Sequence, residues 1–185
     1  MTPQPVLTAT TTRGEKITLR PAELRDVDAI YANCKDAETL RWTTLPLDYD
    51  RDRAIGFVND YAPGWWERGD GAVWVIADSA GDYVGQLDLR VNARDRLVAD
   101  VGFMTAPQAR GKGYMTAALR AAVQFGFEEL GLQRIEWRAH IGNDGSRRVA
   151  EKVGFRHEGI QRNGCPQRGE RYDAWVAAIL PGELA

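Results

Sequence analysis

The stretch QARGKGYM, Gln108–Met115, limits what this chain can fold into more than any other. It stands between an apolar run that reads as a strand, Leu97–Thr105, and a run in which Met115, Leu119, Ala122, Val123, Gly126 and Leu130 fall near the helical period. The pattern predicts a helix over 112–130, with Gly131 as its terminating residue. Two glycines enclose Lys112, Arg110 stands in front, Arg120 follows, and no acidic residue lies between 106 and 127. A helix start offers backbone N–H groups without internal partners and the positive end of the peptide dipoles. Glycines let the backbone close around a ligand. Together they form a cradle for a phosphate-like anion. A P-loop fails because Gly113 follows Lys112. A dinucleotide fingerprint fails because Thr116 holds the last place and the preceding strand belongs to a hairpin set.

The flanking segments predict one mixed sheet. Val6–Thr12 reads as an edge strand and Ile17–Arg20 as a firmer one, with residues 1–15 an N-terminal extension and 16–181 a single domain. Asp26–Lys35 has helical character, a loop carrying Trp42 follows, and Asp50–Arg68 reads as a second helical segment interrupted at Pro63-Gly64. Ala72–Asp78, Tyr83–Val91 and Leu97–Thr105 are three strands separated by short polar turns. Arg134–Ala139 alternates as a half-buried strand, Asn143 caps a helix that Gly154 ends, and Phe155–Ile160 and Arg171–Leu180 are the last strands. Hairpins and helices feeding one sheet give the class α+β, with a mixed, mostly antiparallel sheet flanked by about four helices.

Bulk properties narrow the function. A net charge of −2 argues against a protein that coats nucleic acid. No apolar run approaches the roughly 20 residues that cross a bilayer. The N-terminus lacks the basic start and apolar core of a signal peptide, and Cys34 and Cys165 form no disulfide framework, which predicts a reducing cytoplasm. These cysteines, with His140 and His157, show no ligand spacing, so no metal is expected.

The hexapeptide QARGKG resembles the Q/R-x-x-G-x-G/A signature of the GNAT superfamily of acyl-CoA N-acyltransferases, with Gln108, Gly111 and Gly113 in the signature places. Asn143-Asp144-Gly145-Ser146 and Glu151-Lys152-Val153-Gly154-Phe155, with Leu19-Arg20-Pro21 and Glu158-Gly159, resemble the branch that contains ribosomal-protein N-terminal acetyltransferases. The resemblance runs from about Ile17 to Leu180 and implies a sheet splayed at the cofactor site, between strands 97–105 and 134–140. It implies acetyl-CoA or another acyl-CoA as co-substrate, no metal, and an amine acceptor, either a small molecule or a protein N-terminus. The pyrophosphate is expected on the amides of Ala109, Arg110, Gly111, Lys112, Gly113, Tyr114 and Met115. The pantetheine arm is expected along Phe103, Met104 and Thr105, with Asn143 serving that arm or capping its helix.

The chemistry then asks for three groups. A backbone N–H near Met104 is the expected donor to the oxyanion. Ser146 is either the proton donor to the leaving thiolate or a residue satisfying a helix start. Asp100, standing where many relatives carry Glu, is either the base or the partner of Arg90 or Arg138. Another acid used by some relatives falls near Cys165 here, with Tyr172 and Asp173 as fallback groups. Trp42 is expected at the acceptor mouth, and Gln86, Asp88 and Trp137 near the acyl group. The leading reading is acetyl transfer to a primary amine. The alternatives are a larger or acidic acyl group such as succinyl, and a non-catalytic CoA-binding module. Strand pairing through Val6–Thr12 would make a homodimer.

Overall fold

Alternation of inward and outward side chains builds eight strands into one sheet in the computed structural model, which describes residues 2–185. The strands are β1 (Leu7–Thr10), β2 (Lys16–Arg20), β3 (Gly71–Ala77), β4 (Tyr83–Val91), β5 (Val98–Thr105), β6 (Arg134–His140), β7 (Arg156–Gln167) and β8 (Glu170–Ile179), in the order β1-β2-β3-β4-β5-β6-β8-β7. Every neighbouring pair is antiparallel except β5 and β6. Those two run parallel and pair only over Val98–Val101 against Arg134–Trp137. Beyond that point β5 continues to Thr105 and β6 to His140, and the ladder between them stops. The sheet is therefore open in its middle.

The helices are α1 (Val27–Lys35), α2 (Ala37–Trp42), α3 (Arg51–Gly56), α4 (Ala62–Glu67), α5 (Tyr114–Glu128) and α6 (Asp144–Val153). A wide turn, Phe57–Tyr61, joins α3 to α4, so these make one continuous rod. The sequence predicts a break at Pro63-Gly64. The rod instead accommodates Pro63 near the start of α4 and takes up the irregularity one turn earlier, where Ala62 N–H reaches back to Phe57 O. The reason is steric: a proline ring collides with the carbonyl four residues before it, and a widened turn moves that carbonyl aside.

Helix α5 crosses β1, β2, β4 and β5 and supplies much of the core, with Phe125 edge-on to the fully buried Trp74 at 5.7 Å. The indole N–H of Trp74 donates to Pro5 O and that of Trp66 to Thr2 O, which ties the N-terminal residues along the uncovered part of β3. Of the tryptophans in the N-terminal half, Trp74 is thus core and Trp66 a clasp.

Two elements depart from expectation. The loop read around Trp42 contains α2, capped by Asp36, whose carboxylate accepts from Thr39 N–H. The last hairpin is longer than its apolar pattern suggests. β7 runs to Gln167, past an irregularity between Gln161 and Cys165, and turns at Arg168-Gly169, both in the left-handed region as a two-residue hairpin loop requires. Its tip reaches back across the molecule. Gln167 Nε2 donates to the carbonyls of Arg41 and Thr43, and Arg168 to those of Leu40 and Leu45. These bonds satisfy carbonyls at and beyond the end of α2.

Candidate active site

The broken ladder determines which backbone groups are free. Ala106 N–H donates to Val84 O and Asn92 N–H to Val98 O, which fixes the alternation along β4 and β5. Even-numbered residues of β5 direct N–H and C=O at β4. Phe103 and Thr105 therefore aim theirs into the gap left by β6. The Met104 N–H expected for the oxyanion points at β4, opposite Gln86, so it is engaged in the ladder; the N–H groups of Phe103 and Thr105 are the ones available.

Of the residues expected at the site, all but Gln108 and the fallback groups Tyr172 and Asp173 line one cleft of about 1850 Å³ that passes through this gap. Gln108 stays exposed on the turn outside it. At one end lies the cradle. Gly111 (φ 74°) and Gly113 (φ 87°) take the left-handed backbone that turns the chain into α5, a conformation other residues adopt at a cost of about 1 kcal/mol or more. The first i to i−4 bond of α5 runs from Ala117 N–H to Gly113 O, which leaves the amides of Gly111 to Thr116 for a ligand, whereas the expected Ala109 and Arg110 amides are taken by the Ala106 and Pro107 carbonyls of the turn. Arg110 is less free than its sequence position suggests. Its guanidinium binds Asp36 and Thr39 Oγ1, and so fastens the cradle to the cap of α2. Burial opposes ionisation of Asp36, but Arg110 and the Thr39 amide outweigh it and hold its carboxyl below the ordinary range. Lys112 makes no ion pair among the described residues.

On the α6 side, Trp137 Nε1 donates to Ser146 Oγ at 3.0 Å, and the Asn143 side-chain oxygen caps the helix by accepting from Ser146 N–H at 3.2 Å. An indole N–H can only donate, so the serine oxygen is the acceptor and its own proton is left to give elsewhere. The Asn143 amide nitrogen is similarly unused by the cap.

Register separates Trp137 from the residues expected beside it. Trp137 pairs with Val101, whereas Gln86 pairs with Met104 and Asp88 with Gly102. Paired residues share a face and neighbours along a strand alternate, so Gln86, Asp88, Arg90, Asp100 and Arg138 look out on the face opposite Trp137 and Ser146. The gap joins the two faces.

On that opposite face the carboxylates differ. Arg90 takes Asp100 in a short charged hydrogen bond and lies 3.1 Å from Asp88 without hydrogen-bonding geometry. Asp88 Oδ2 is buried with no hydrogen-bond partner among the described residues. Burial pushes the Asp88 carboxyl up to about 6, Arg90 opposing and Asp100 adding to the rise. Gly102 makes the room for it: a β-carbon there would stand 2.8 Å from Asp88 Oδ1. No single-strand pattern marks Asp88, since its distinction comes from two strands either side of it. Farther out, His140 stacks on Tyr172 at 5.2 Å and meets Trp42 edge-on at 6.3 Å, and burial lowers its pKa. His140 thus bridges Trp42 of α2 and Tyr172 of β8, while no group of metal-ligating side chains occurs among the described residues.

The comparisons agree with this geometry. The model of the family described as "Acetyltransferase (GNAT) domain" matches residues 16–156. YdaF of Bacillus subtilis (strain 168), which bears the name of a ribosomal N-acetyltransferase, is 35% identical over 151 residues, covering 82% of this chain and 74% of that protein. The L-amino acid N-acetyltransferase AaaT of Escherichia coli (strain K12) is 29% identical over 168 residues, covering 88% and 97%. Among solved structures, Mycobacterium smegmatis RimJ in complex with CoA-disulfide superposes with a TM-score of 0.81 at 26% identity, covering 97% of this chain and 89% of that one. With a matched domain, an open mixed sheet and a glycine cradle ahead of α5, the chain belongs to the GNAT acetyltransferase family and is an acyl-CoA-dependent N-acetyltransferase.

Proposed function

We propose that the chain moves an acetyl group from acetyl-CoA to a primary amine by direct attack, with the acceptor on the Asp88 face and the cofactor on the Ser146 face. The observation that carries this reading is the gap between β5 and β6, which puts the cradle, two free strand N–H groups and a partly protonated carboxyl around one opening. The residues fit a CoA tail. The turn at Gly111–Gly113 leaves its amides directed outward, Lys112 is without an ion pair among the described residues, and Phe103 and Thr105 offer backbone to a pantetheine amide. Acetyl-CoA supplies the acyl carbon activated as a thioester.

In this reading Asp88, rather than Asp100, accepts the proton of the acceptor's ammonium. Asp100 acts through Arg90, which it holds beside Asp88. The freed amine lone pair forms the N–C bond as the C–S bond breaks. Phe103 or Thr105 N–H donates to the carbonyl oxygen. Ser146, oriented by Trp137, gives its proton to the departing sulfur and is reprotonated through water by the second proton that the nitrogen loses on becoming an amide. Residues 16–181 hold all of these groups, and residues 2–15 add the edge strand and clasp.

The test is free-thiol release with acetyl-CoA across a panel of amines. Turnover with a primary amine is expected, and Ser146→Ala should slow it about 10- to 100-fold. Tight CoA binding without thiol release from any amine would favour a binding module instead.

A further inference from the structure

On the face of the sheet that carries Asp88, Arg138 has no opposite charge paired with it among the described residues. Arg90 is held by Asp88 and Asp100, and Arg134 by Glu136 and Glu158. Arg138 makes neither an ion pair nor a hydrogen bond among the described residues, although it lines the cleft and is exposed to it. Its place in the register is specific. Asp88 pairs with Gly102 across β4 and β5, and Arg138 is the first residue of β6 beyond the last pair with β5, Val101 with Trp137. Asp88, Gly102 and Arg138 therefore form one row across the opening. The central member has no side chain. Strands lie about 4.8 Å apart, so the backbones that carry Asp88 and Arg138 stand two strand spacings apart, more where the strands splay, and the Asp88 carboxylate and Arg90 guanidinium reach over Gly102 between them.

The Asp88 carboxylate leans over Gly102 from one side, and the longer Arg138 side chain stands on the other. The pair presents an anion at one side and a cation at the other, the two charges a small zwitterion would meet. The β7–β8 hairpin borders the cleft. Gly164, Cys165 and Pro166 line the same cleft, and the Cys165 thiol feels the charge of Arg138. Just beyond, Gln167 and Arg168 bind four carbonyls at and after the end of α2. Those bonds fix the hairpin tip beside the cleft.

We infer that Arg138 binds a carboxylate carried by the acceptor, so that the substrate is a free α-amino acid or similarly small amino carboxylate whose amine meets Asp88. This inference rests on the acetyl-transfer reading above and adds to it the chemical class of the acceptor. A guanidinium fork and a carboxylate make paired, charge-assisted hydrogen bonds, which discriminate strongly against a neutral amide of the same shape.

The experiment compares L-amino acids with their amides and their decarboxylated amines. It uses thiol release with acetyl-CoA, and calorimetric binding of the same compounds to protein saturated with CoA. Wild type is expected to favour the free amino acid by about 10- to 100-fold in kcat/KM and in affinity. Arg138→Ala should bring the ratio of amino acid to amide close to one, chiefly by raising KM, and Arg138→Lys should restore part of it. An equal response of wild type to acid and amide, or a preference that survives in Arg138→Ala, overturns the inference. So does a variant that loses use of succinyl-CoA while keeping its preference among acceptors, since the carboxylate would then belong to the acyl group. The binding arm separates the two layers. Carboxylate-dependent binding lost in Arg138→Ala upholds the inference even without turnover, whereas thiol release that ignores the carboxylate refutes it and leaves acetyl transfer standing.

Discussion

Asp88→Asn is expected to lower kcat by about 10²- to 10⁴-fold, the usual contribution of a positioned base, and to make the protein more stable at neutral pH. The two effects have one origin. Asp88 is enclosed by Gly102 and Arg90 with one oxygen unpartnered, and its carboxyl is pushed up to about 6. A carboxyl raised in the folded state favours the fold fully at pH values below its unfolded pKa, and that contribution is lost as pH rises through the folded value. Above about pH 6 the ionised carboxylate therefore strains the native state. With an ordinary value near 3.9, and allowing for partial exposure, relief in the asparagine variant comes to about 1–2 kcal/mol. Denaturation midpoints of both proteins between pH 4 and pH 8 should diverge as pH rises. In wild type the pH profile of kcat/KM should fall on the acid side near pH 6. In the variant that limb should vanish and leave only the limb of the acceptor amine. A variant with unaltered kcat, or with a limb still at pH 6, would remove Asp88 from the role of base.

Asp26→Ala should destabilise the protein by about 3–5 kcal/mol, because it leaves a buried guanidinium unpaired. Arg20 and Asp26 form a two-pronged pair at 2.7 and 2.8 Å, and Asp26 also accepts from Glu23 N–H at 2.8 Å. Both side chains are nearly inaccessible, at 9% and 4% of their full exposure. The pair joins the end of β2 to the start of α1, which fixes where the first helix leaves the sheet. At about 2–4 °C per kcal/mol for a chain of this length, the melting point should drop by roughly 10 °C. Replacing both residues with hydrophobic ones of similar volume should cost much less than Asp26→Ala alone, since no charge is then stranded. Equal losses in the single and double variants would show that packing, not the stranded charge, dominates.

Periodicity and turn residues made most of the frame legible. All eight strands and the helices α5 and α6 follow from alternation, helical spacing and their glycine boundaries, because those signals are local. Helix α2 was not legible. Six residues give too short a window for period, and its Asp36 cap is only recognisable once Thr39 folds back onto it. The length of β7 was hidden by polar residues on an edge strand, where burial no longer imposes alternation. At the site, the glycine cradle announced itself, and so did Ser146. Asp88 did not stand out from Asp100, because the difference lies in which of them Arg90 satisfies and which faces a residue without a side chain. The same is true of Arg138, whose importance comes from what β5 and β6 fail to do beside it.

That unzipped seam has a mechanical consequence. The left leaf of the sheet, β1 to β5, and the right leaf, β6 to β8, are stitched by only four residue pairs. Coenzyme A lying in the seam would act as the missing stitches, so holding the leaves together is a task shared with a diffusible molecule. Saturating CoA, at about 100 times its dissociation constant, should then add about 2.7 kcal/mol by mass action. Amide exchange should slow most along Gly102–Thr105 and Arg138–His140, the two lips that the chain leaves apart.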